Sequence, residues 1–206
     1  MTDPETFKAG VSRETLEMFN EYLALLKKWN PRINLVAKGE INHLWERHLI
    51  DSAQIFQTVD QPVRTWLDLG SGGGFPGIVC AILAHQAGHD CHFELVESDK
   101  RKAIFLEQVS RALSLPVTVL AMRIETLNPS GHDVISARAL AALDVLLQWA
   151  YPHATQTTQM LFLKGRNAES ELTSAARSWH MKAQRIPSQT SSDGVVLKLT
   201  EVHPQA

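Results

Sequence analysis

Four glycines within five positions, Gly70, Gly72, Gly73 and Gly74, separate a β-type segment from an apolar helical one. Thr65-Trp66-Leu67-Asp68-Leu69 has the character of a buried strand, and the pattern predicts a helix over 76–86. Glycine admits positive φ and carries no side chain, so backbone there can approach a ligand closely. In open parallel sheets, ligands bind outside the carboxyl ends of the strands, near the point where strand order reverses. A glycine cluster at such a strand end therefore argues for an α/β fold with a ligand site, and against a plain surface loop.

The rest of the chain agrees with that class. Strands are expected at 63–69, 91–97, 116–121, 133–138 and 158–164, alternating with helices at 76–86, 99–113, 140–151 and 167–179. Two further β runs, near 181–187 and 194–202, flank the turn-forming Ser191-Ser192-Asp193-Gly194 and should pair as a hairpin. The prediction is a Rossmann-like sheet of about seven strands, mostly parallel, with an antiparallel hairpin at the C-terminal end. By fold-level analogy that hairpin favours a methyltransferase-type sheet. Residues from about 12 to 60 read as helical instead. Ser12 can cap a helix with an inward stripe of Leu16, Phe19, Leu23 and Leu26. Asn30-Pro31 should end it, because a residue before proline avoids the helical region. A second helix follows the loop to Gly39, with Ile41, Leu44, Trp45, Leu49 and Ile55 inward. The expected organisation is an N-terminal helical cap over 1–61 and a ligand-binding domain over 62–206, packed as one unit.

With 206 residues and a formal charge of -2, the chain suits one domain with an accessory segment and is no uniformly basic nucleic-acid binder. Any such contact needs a local patch. Cys80 and Cys91 form no CxxC pair and read as small buried hydrophobes. No apolar run approaches the ~18 residues of a membrane span, and the polar start Met1-Thr2-Asp3-Pro4-Glu5 does not fit a signal peptide. A reducing cytoplasm is the simplest home.

Two ligands compete for the glycine turn. Gly72-Gly73-Gly74-Phe75-Pro76-Gly77 satisfies GxGxxG, and Glu97 follows at about the distance of a ribose-binding acid, as in a nicotinamide-dependent oxidoreductase. The run also reads as acid-x-Gly-x-Gly-x-Gly, through Asp68, Gly70, Gly72 and Gly74, which suits S-adenosylmethionine. A dinucleotide pyrophosphate wants helix amides without a carboxylate nearby. Adenosylmethionine carries an ammonium and a sulfonium, whose charge Asp68 can offset. Glu97 serves the ribose of either ligand and does not separate them. On the second reading the cofactor contacts are Asp68, Gly70, Ser71, Gly72, Gly74 and Phe75, with Glu97 at the ribose and Ile124-Glu125 at the adenine.

The acceptor is narrowed by what is missing. A C5-pyrimidine acceptor needs a cysteine nucleophile, and neither cysteine falls near a strand's carboxyl end. An exocyclic amine acceptor usually meets an Asn/Asp-Pro-Pro-aromatic turn after the fourth strand, where this chain has Ser136-Ala137-Arg138-Ala139. A ring nitrogen such as guanine N7 carries no proton to remove, so it needs neither device. Arg138, at that strand end, can position a phosphate, a guanine edge or the cofactor, and a structural ion pair is the alternative.

Several motifs together resemble the bacterial 16S ribosomal RNA guanine-N7 methyltransferases of the RsmG (GidB) type over nearly the whole chain. They are Trp29-Asn30 with Asn34-Leu35, Arg47-His48-Leu49-Ile50-Asp51-Ser52, the Asp68–Ile78 glycine turn, Ser136-Arg138-Ala139 and Leu163-Lys164-Gly165. The resemblance implies adenosylmethionine contacts at Gly70, Phe75, Ile124, Glu125 and Arg138. It also implies methylation of a guanine in the decoding region of small-subunit RNA by a mostly monomeric cytoplasmic enzyme. Val36 replaces a hydroxyl residue often seen after Asn-Leu, and the segment from Ala84 to His92 is longer and richer in histidine than the family pattern.

Other clusters carry less. His85, His89, Cys91 and His92 match no zinc template, and no metal is expected. His48 and Asp51, at i and i+3, share a helix face as either an RNA-side pair or a structural one. Asn34, His48, Lys164 and Arg166 are candidate substrate contacts. Arg32, Lys38, Arg47, Lys100 and Arg101 would join Lys164 and Arg166 in a basic rim, unless they are scattered surface charge. A non-catalytic RNA-binding protein with a regulatory nucleotide site is the remaining alternative.

Overall fold

The computed structural model describes residues 3–60 and 62–205. Met1, Thr2, Gln61 and Ala206, the ends of the expected ranges 1–61 and 62–206, lie outside the described residues. Seven strands form one sheet: β1 (Thr65–Leu69), β2 (His92–Val96), β3 (Val117–Leu120), β4 (His132–Arg138), β5 (Ala154–Lys164), β6 (Trp179–Pro187) and β7 (Val195–Pro204). Their order is β3-β2-β1-β4-β5-β7-β6. Only β7 runs against its neighbours, pairing antiparallel with both β5 and β6. The order reverses between β1 and β4, which places the glycine turn at the switch point where such sheets bind ligands.

Two hydrophobic layers cover the sheet, and period-two alternation sorts strand residues between them. Trp66, Phe93, Leu95, Val134 and Leu161 join one core, which continues into the N-terminal helices. Leu67, Leu69, Val96, Ile135 and Phe162 join the other, under α6 (Leu143–Ala150) and α7 (Ala168–Ala175). With both faces covered, β1 is buried almost throughout, as central parallel strands are. The helix after the glycine turn, α4 (Gly77–Gln86), is apolar on nearly every side because further helices cover its outer face. By contrast α5 (Lys100–Ala112) is amphipathic and is capped by Asp99, whose carboxylate accepts the Arg101 amide.

The N-terminal region departs from expectation in three places. A short helix α1 (Pro4–Ala9) precedes the first predicted one, with Asp3 as its cap and Pro4 in its first turn. Ser12 does cap α2 (Arg13–Ile33), but Pro31 does not stop that helix. The Asn34 amide donates to the Asn30 carbonyl, and Asn34 turns left-handed at φ 50 to close the helix. The Asn30 side chain is fixed as well, accepting the Val36 amide at 2.9 Å, so the strain of a helical residue before proline is offset locally. The second expected helix is broken. A 3-10 turn at Lys38–Glu40 is followed by a π-helical turn at Trp45–Leu49, which runs into α3 (Ile50–Gln57). Single π turns in helices are frequent at functional sites.

Tyr22, fully buried on α2, donates to the Gly73 carbonyl at 2.6 Å and thereby ties the first long helix to the glycine turn. Burial pushes its phenol pKa up, so the group stays protonated and stays a donor. Replacing Tyr22 with Phe strands a buried carbonyl, at a cost of about 1–3 kcal/mol. For a chain of this size a thermal melt should fall by roughly 2–4 °C per kcal/mol. An unchanged melting temperature would show that this bond does not hold the turn.

Candidate cofactor and acceptor site

A cleft of about 600 Å³ opens at the carboxyl ends of β1, β2 and β4. The glycine turn forms its floor. Gly72 turns at φ +55, and its amide donates to Glu97 Oε2 at 2.9 Å. The other oxygen, Glu97 Oε1, accepts the Asp99 amide at 2.7 Å, so the acid after β2 is aimed by backbone on both sides. Gly77 is needed for a different reason. A Cβ there would come within 2.4 Å of Leu95 and 2.7 Å of Asp68 Oδ2.

Asp68 does not line this cleft. It sits behind the wall at 0% exposure, on a central strand of the sheet. Ser136 Oγ donates to Asp68 Oδ1 at 2.6 Å, from the register position directly opposite on β4. The Gly77 amide donates to Oδ2 at 3.2 Å, and the Trp66 indole donates to Ser136 Oγ at 2.8 Å. Burial raises the Asp68 pKa to about 6, while hydrogen bonds from Ser136, Ser71 and Gly77 lower it by less. Its first role is thus to fasten the turn and the start of α4 to the sheet, with its charge acting on the cleft from below.

The expected residues fall as follows. Gly70, Ser71, Gly72, Phe75, Glu97, Ile124, Glu125, His48 and Arg138 line the cleft. Ile124 and Glu125 sit on a 3-10 turn, Ile124–Thr126, just after β3, which the periodicity did not signal. Gly74 packs inward instead, near Tyr22 and Ile78. Asn34 closes α2 and delivers Leu35 to the cleft wall rather than reaching the cleft itself. Lys164 has a side chain only 8% exposed, and it is held by Glu171 at 2.6 Å and the Ala141 carbonyl at 2.7 Å. Arg166 is exposed and paired with Asp193 at 2.8 Å, and Arg101 is likewise paired with Asp99. Three of the seven cations expected at the basic rim are thus paired with carboxylates. Among the described residues, no three His, Cys, Asp or Glu side chains are grouped to hold a metal. The histidine-rich segment instead makes separate contacts, His89 beside the Phe56 ring and His92 with Thr118.

Arg138 joins β4 to the N-terminal region. Its Nη1 donates to His48 Nδ1 at 2.7 Å, and its Nη2 donates to the Arg47 carbonyl at 2.6 Å. His48 Nε2 meets Glu40 Oε2 at 2.9 Å, and its ring lies 4.7 Å from that of Phe75. Burial, then the Arg138 charge, lowers the His48 pKa to about 4, against a smaller rise from Glu40. The ring is therefore neutral at pH 7, with Nδ1 accepting from Arg138 and Nε2–H donating to Glu40. Burial likewise lowers the Arg138 pKa, with Asp51 and Glu40 opposing. Glu40 was invisible in the sequence, since it lies on a 3-10 turn eight residues before His48 with no periodic link between them.

Neither cysteine can act as a nucleophile here. Cys80 is buried in α4 with its thiol pKa raised by burial, and Cys91 precedes β2 with its thiol pushed to about 12 for the same reason.

His48 makes a pH prediction. Its folded pKa lies below the ordinary 6.5, so its contribution to stability is complete above about pH 6.5 and is lost as pH falls toward about 4. Asp68, with a raised pKa, acts with the opposite sign between 3.8 and about 6, so the whole-protein profile blends the two. Comparison with His48→Gln isolates the first. The melting-temperature gap between the wild type and this variant should widen from pH 4 to 6.5 and then level off. A gap independent of pH would mean that the ring is not held neutral.

A family model described as rRNA small subunit methyltransferase G matches residues 15–195. A ribosomal RNA small subunit methyltransferase G from Paramagnetospirillum magneticum is 51% identical over 195 residues, covering 95% of this chain and 93% of that protein. One of the same name from Parvibaculum lavamentivorans is 48% identical over 208 residues, covering 98% and 91%. Among solved structures, a TehB-like SAM-dependent methyltransferase from Corynebacterium glutamicum superposes with a TM-score of 0.58 at 13% identity, covering 86% of this chain and 98% of that one. That likeness concerns the fold.

Proposed function

Because the chain belongs to the rRNA small subunit methyltransferase G family, we propose that it transfers a methyl group from S-adenosylmethionine to N7 of a guanine in the decoding region of 16S ribosomal RNA. The observation that carries the cofactor assignment is the Asp68 carboxylate at the start of α4. It takes the Gly77 amide, and the preceding Pro76 has no N–H. The helix start that would meet a dinucleotide pyrophosphate is thus short of free donors and backed by a negative charge. The same charge suits a cationic ligand. Glu97, aimed by two amides at the cleft, fits two vicinal ribose hydroxyls, and Ile124 and Glu125 supply an apolar wall and a backbone edge for adenine. Gly70, Ser71, Gly72 and Phe75 form the bed on which this ligand would lie.

Bound adenosylmethionine would supply an electrophilic methyl on sulfur, and the protein's task is alignment. No residue need remove a proton from a ring nitrogen with a free lone pair. The site fits that requirement. His48, the one histidine lining the cleft among the described residues, has both ring nitrogens engaged, and the thiols are buried elsewhere. Arg138, braced by His48 and the Arg47 carbonyl, positions the acceptor rather than activating it. In this reading residues 1–61 form a cap that works as one unit with 62–206, and the enzyme acts as a monomer in the cytoplasm on the small subunit or its RNA. Among the described residues no helix is long and apolar enough to cross a membrane.

Labelled-methyl transfer to small ribosomal subunits tests the activity, and mapping of N7-methylguanine in RNA from a strain lacking the gene tests the target. Gly72→Asp should reduce adenosylhomocysteine binding at least a hundredfold by calorimetry and abolish transfer, since it sets a carboxylate and a strained φ beside Glu97. Tight NAD binding without adenosylhomocysteine binding would overturn the cofactor assignment. Cellular function intact in a Gly72→Asp strain would overturn the enzymatic role.

A further inference from the structure

A second cavity, of about 350 Å³, adjoins the cofactor cleft and shares Glu40, Arg138 and Ala139 with it. It lies at the carboxyl ends of β4 and β5, under the loop that joins β6 to β7. Three carboxylates and three cations line it, but most are already engaged. Glu171 holds Lys164, Glu40 holds the His48 ring, and Arg138 holds His48 and the Arg47 carbonyl. Asp51 differs. Although only 8% exposed, it has one oxygen, Oδ1, that takes the Ser188 hydroxyl at 2.9 Å and the Thr190 hydroxyl at 2.6 Å. Its Oδ2 has no hydrogen-bond partner among the described residues.

That oxygen is not among the sealed, unpartnered polar atoms of the described residues, so it faces the cavity and is open to donors on a ligand. Two adjacent N–H donors would suit it, and guanine presents them as N1–H and the 2-amine. That edge lies at the opposite end of the purine from N7. A guanine gripped by Asp51 would therefore leave its imidazole end free to face the shared opening at Arg138. Adenine offers a lone pair and a C–H on the same edge and would be rejected, because the carboxylate would gain no donor and meet a second acceptor. Arg47 lines the same cavity with no side-chain partner among the described residues, as a phosphate on the attached nucleotide would require.

We propose that this second cavity is the acceptor pocket and that Asp51 selects guanine by accepting from its N1–H and 2-amine. The inference rests on the methyl-transfer reading above. The loop anchoring supplies a reason for the Asp51 position on α3. Its Oδ1 fixes Ser188 and Thr190, while Gln54, one turn on, binds the Pro187 carbonyl and accepts the Gln189 amide. Oδ2 is thereby presented from a braced element.

The test compares wild type, Asp51→Asn and Ser188→Ala, each saturated with adenosylhomocysteine so that nucleotides cannot occupy the cofactor cleft. Guanosine, inosine and adenosine monophosphates are titrated by NMR chemical shift, and adenosylhomocysteine affinity and melting temperature are measured alongside. Wild type should prefer guanosine over adenosine monophosphate by roughly tenfold or more, the scale of one good two-point base contact, with inosine between them. Asp51→Asn turns the free acceptor into a donor. It should lose that preference and lower kcat/KM for small subunits by about ten- to a hundredfold, while cofactor affinity changes less than about threefold. Ser188→Ala loosens the loop without touching Oδ2 and should keep the preference. No guanine preference in the wild type, or equal loss in both variants, would overturn the pocket assignment. Wild type that transfers no methyl to any small-subunit RNA yet prefers guanosine would overturn the proposed function and leave this pocket standing.

Discussion

The buried carboxylate of Asp68 is the constraint around which the site is arranged. A charge at the centre of a parallel sheet is costly unless hydrogen-bonded. The protein meets that cost with Ser136 from β4 and the first amide of α4, and it fixes Ser136 in turn with the Trp66 indole. The result joins three elements at one point. β1 and β4 are held in register across the switch point, and α4 is held against the end of β1. The glycine turn between them can only take the path left over. Gly77 carries no side chain because the carboxylate and Leu95 occupy the space. A residue that sequence reasoning assigns to ligand charge thus acts first on geometry, and its charge reaches the cleft through the wall.

A second joint connects the N-terminal helices to this frame. Arg138 extends from β4 beneath the π turn and is met by His48 and the Arg47 carbonyl. The π turn has a physical use here, because it sits where His48 and Leu49 must both turn inward while Arg47 stays outside. Since His48 is kept neutral, it accepts from a cation without repelling it, and Glu40 fixes the tautomer that makes this possible. Arg138 then stands between two cavities, with its direction set by the His48 ring and the Arg47 carbonyl.

How much of this was legible in the sequence follows from the range of each interaction. The alternating strands and helices, the terminal hairpin and the Ser12 cap depend on neighbours in the chain, and they stand within a few residues of expectation. The exceptions are local signals overridden by particular hydrogen bonds or packing needs. Pro31 should have ended α2, but Asn30 and Asn34 anchor the last turn. The helix expected after Gly39 breaks because its residues serve the cleft as well as the core. Of the site, the residues on the glycine turn and at strand ends were readable, since fold class alone places them. The pairing of Lys164 with Glu171 and of Arg166 with Asp193 was not readable, because these partners meet only in three dimensions. Glu40 and the link from Asp51 to the loop at 188–190 were unreadable for the same reason, the latter spanning more than 130 residues.

These placements bear on why such a site contains so little acid–base chemistry. Transfer to an unprotonated ring nitrogen depends on distance and direction, and each can be lost by small movements of the framework. Several titratable groups in and around the cleft are correspondingly committed. His48 is pinned at both nitrogens, Asp68 is closed into the sheet, Glu97 is tied by two amides, and Lys164 is neutralised by Glu171. A free base in that position would add a proton-dependent charge to a reaction that moves no proton at the acceptor. Asp51 Oδ2 and the Arg47 guanidinium keep open valences in the adjoining cavity, where selecting a base and holding its backbone require them. Rigidity on the cofactor side and open valences on the acceptor side are the division of labour expected of an enzyme whose catalysis is alignment.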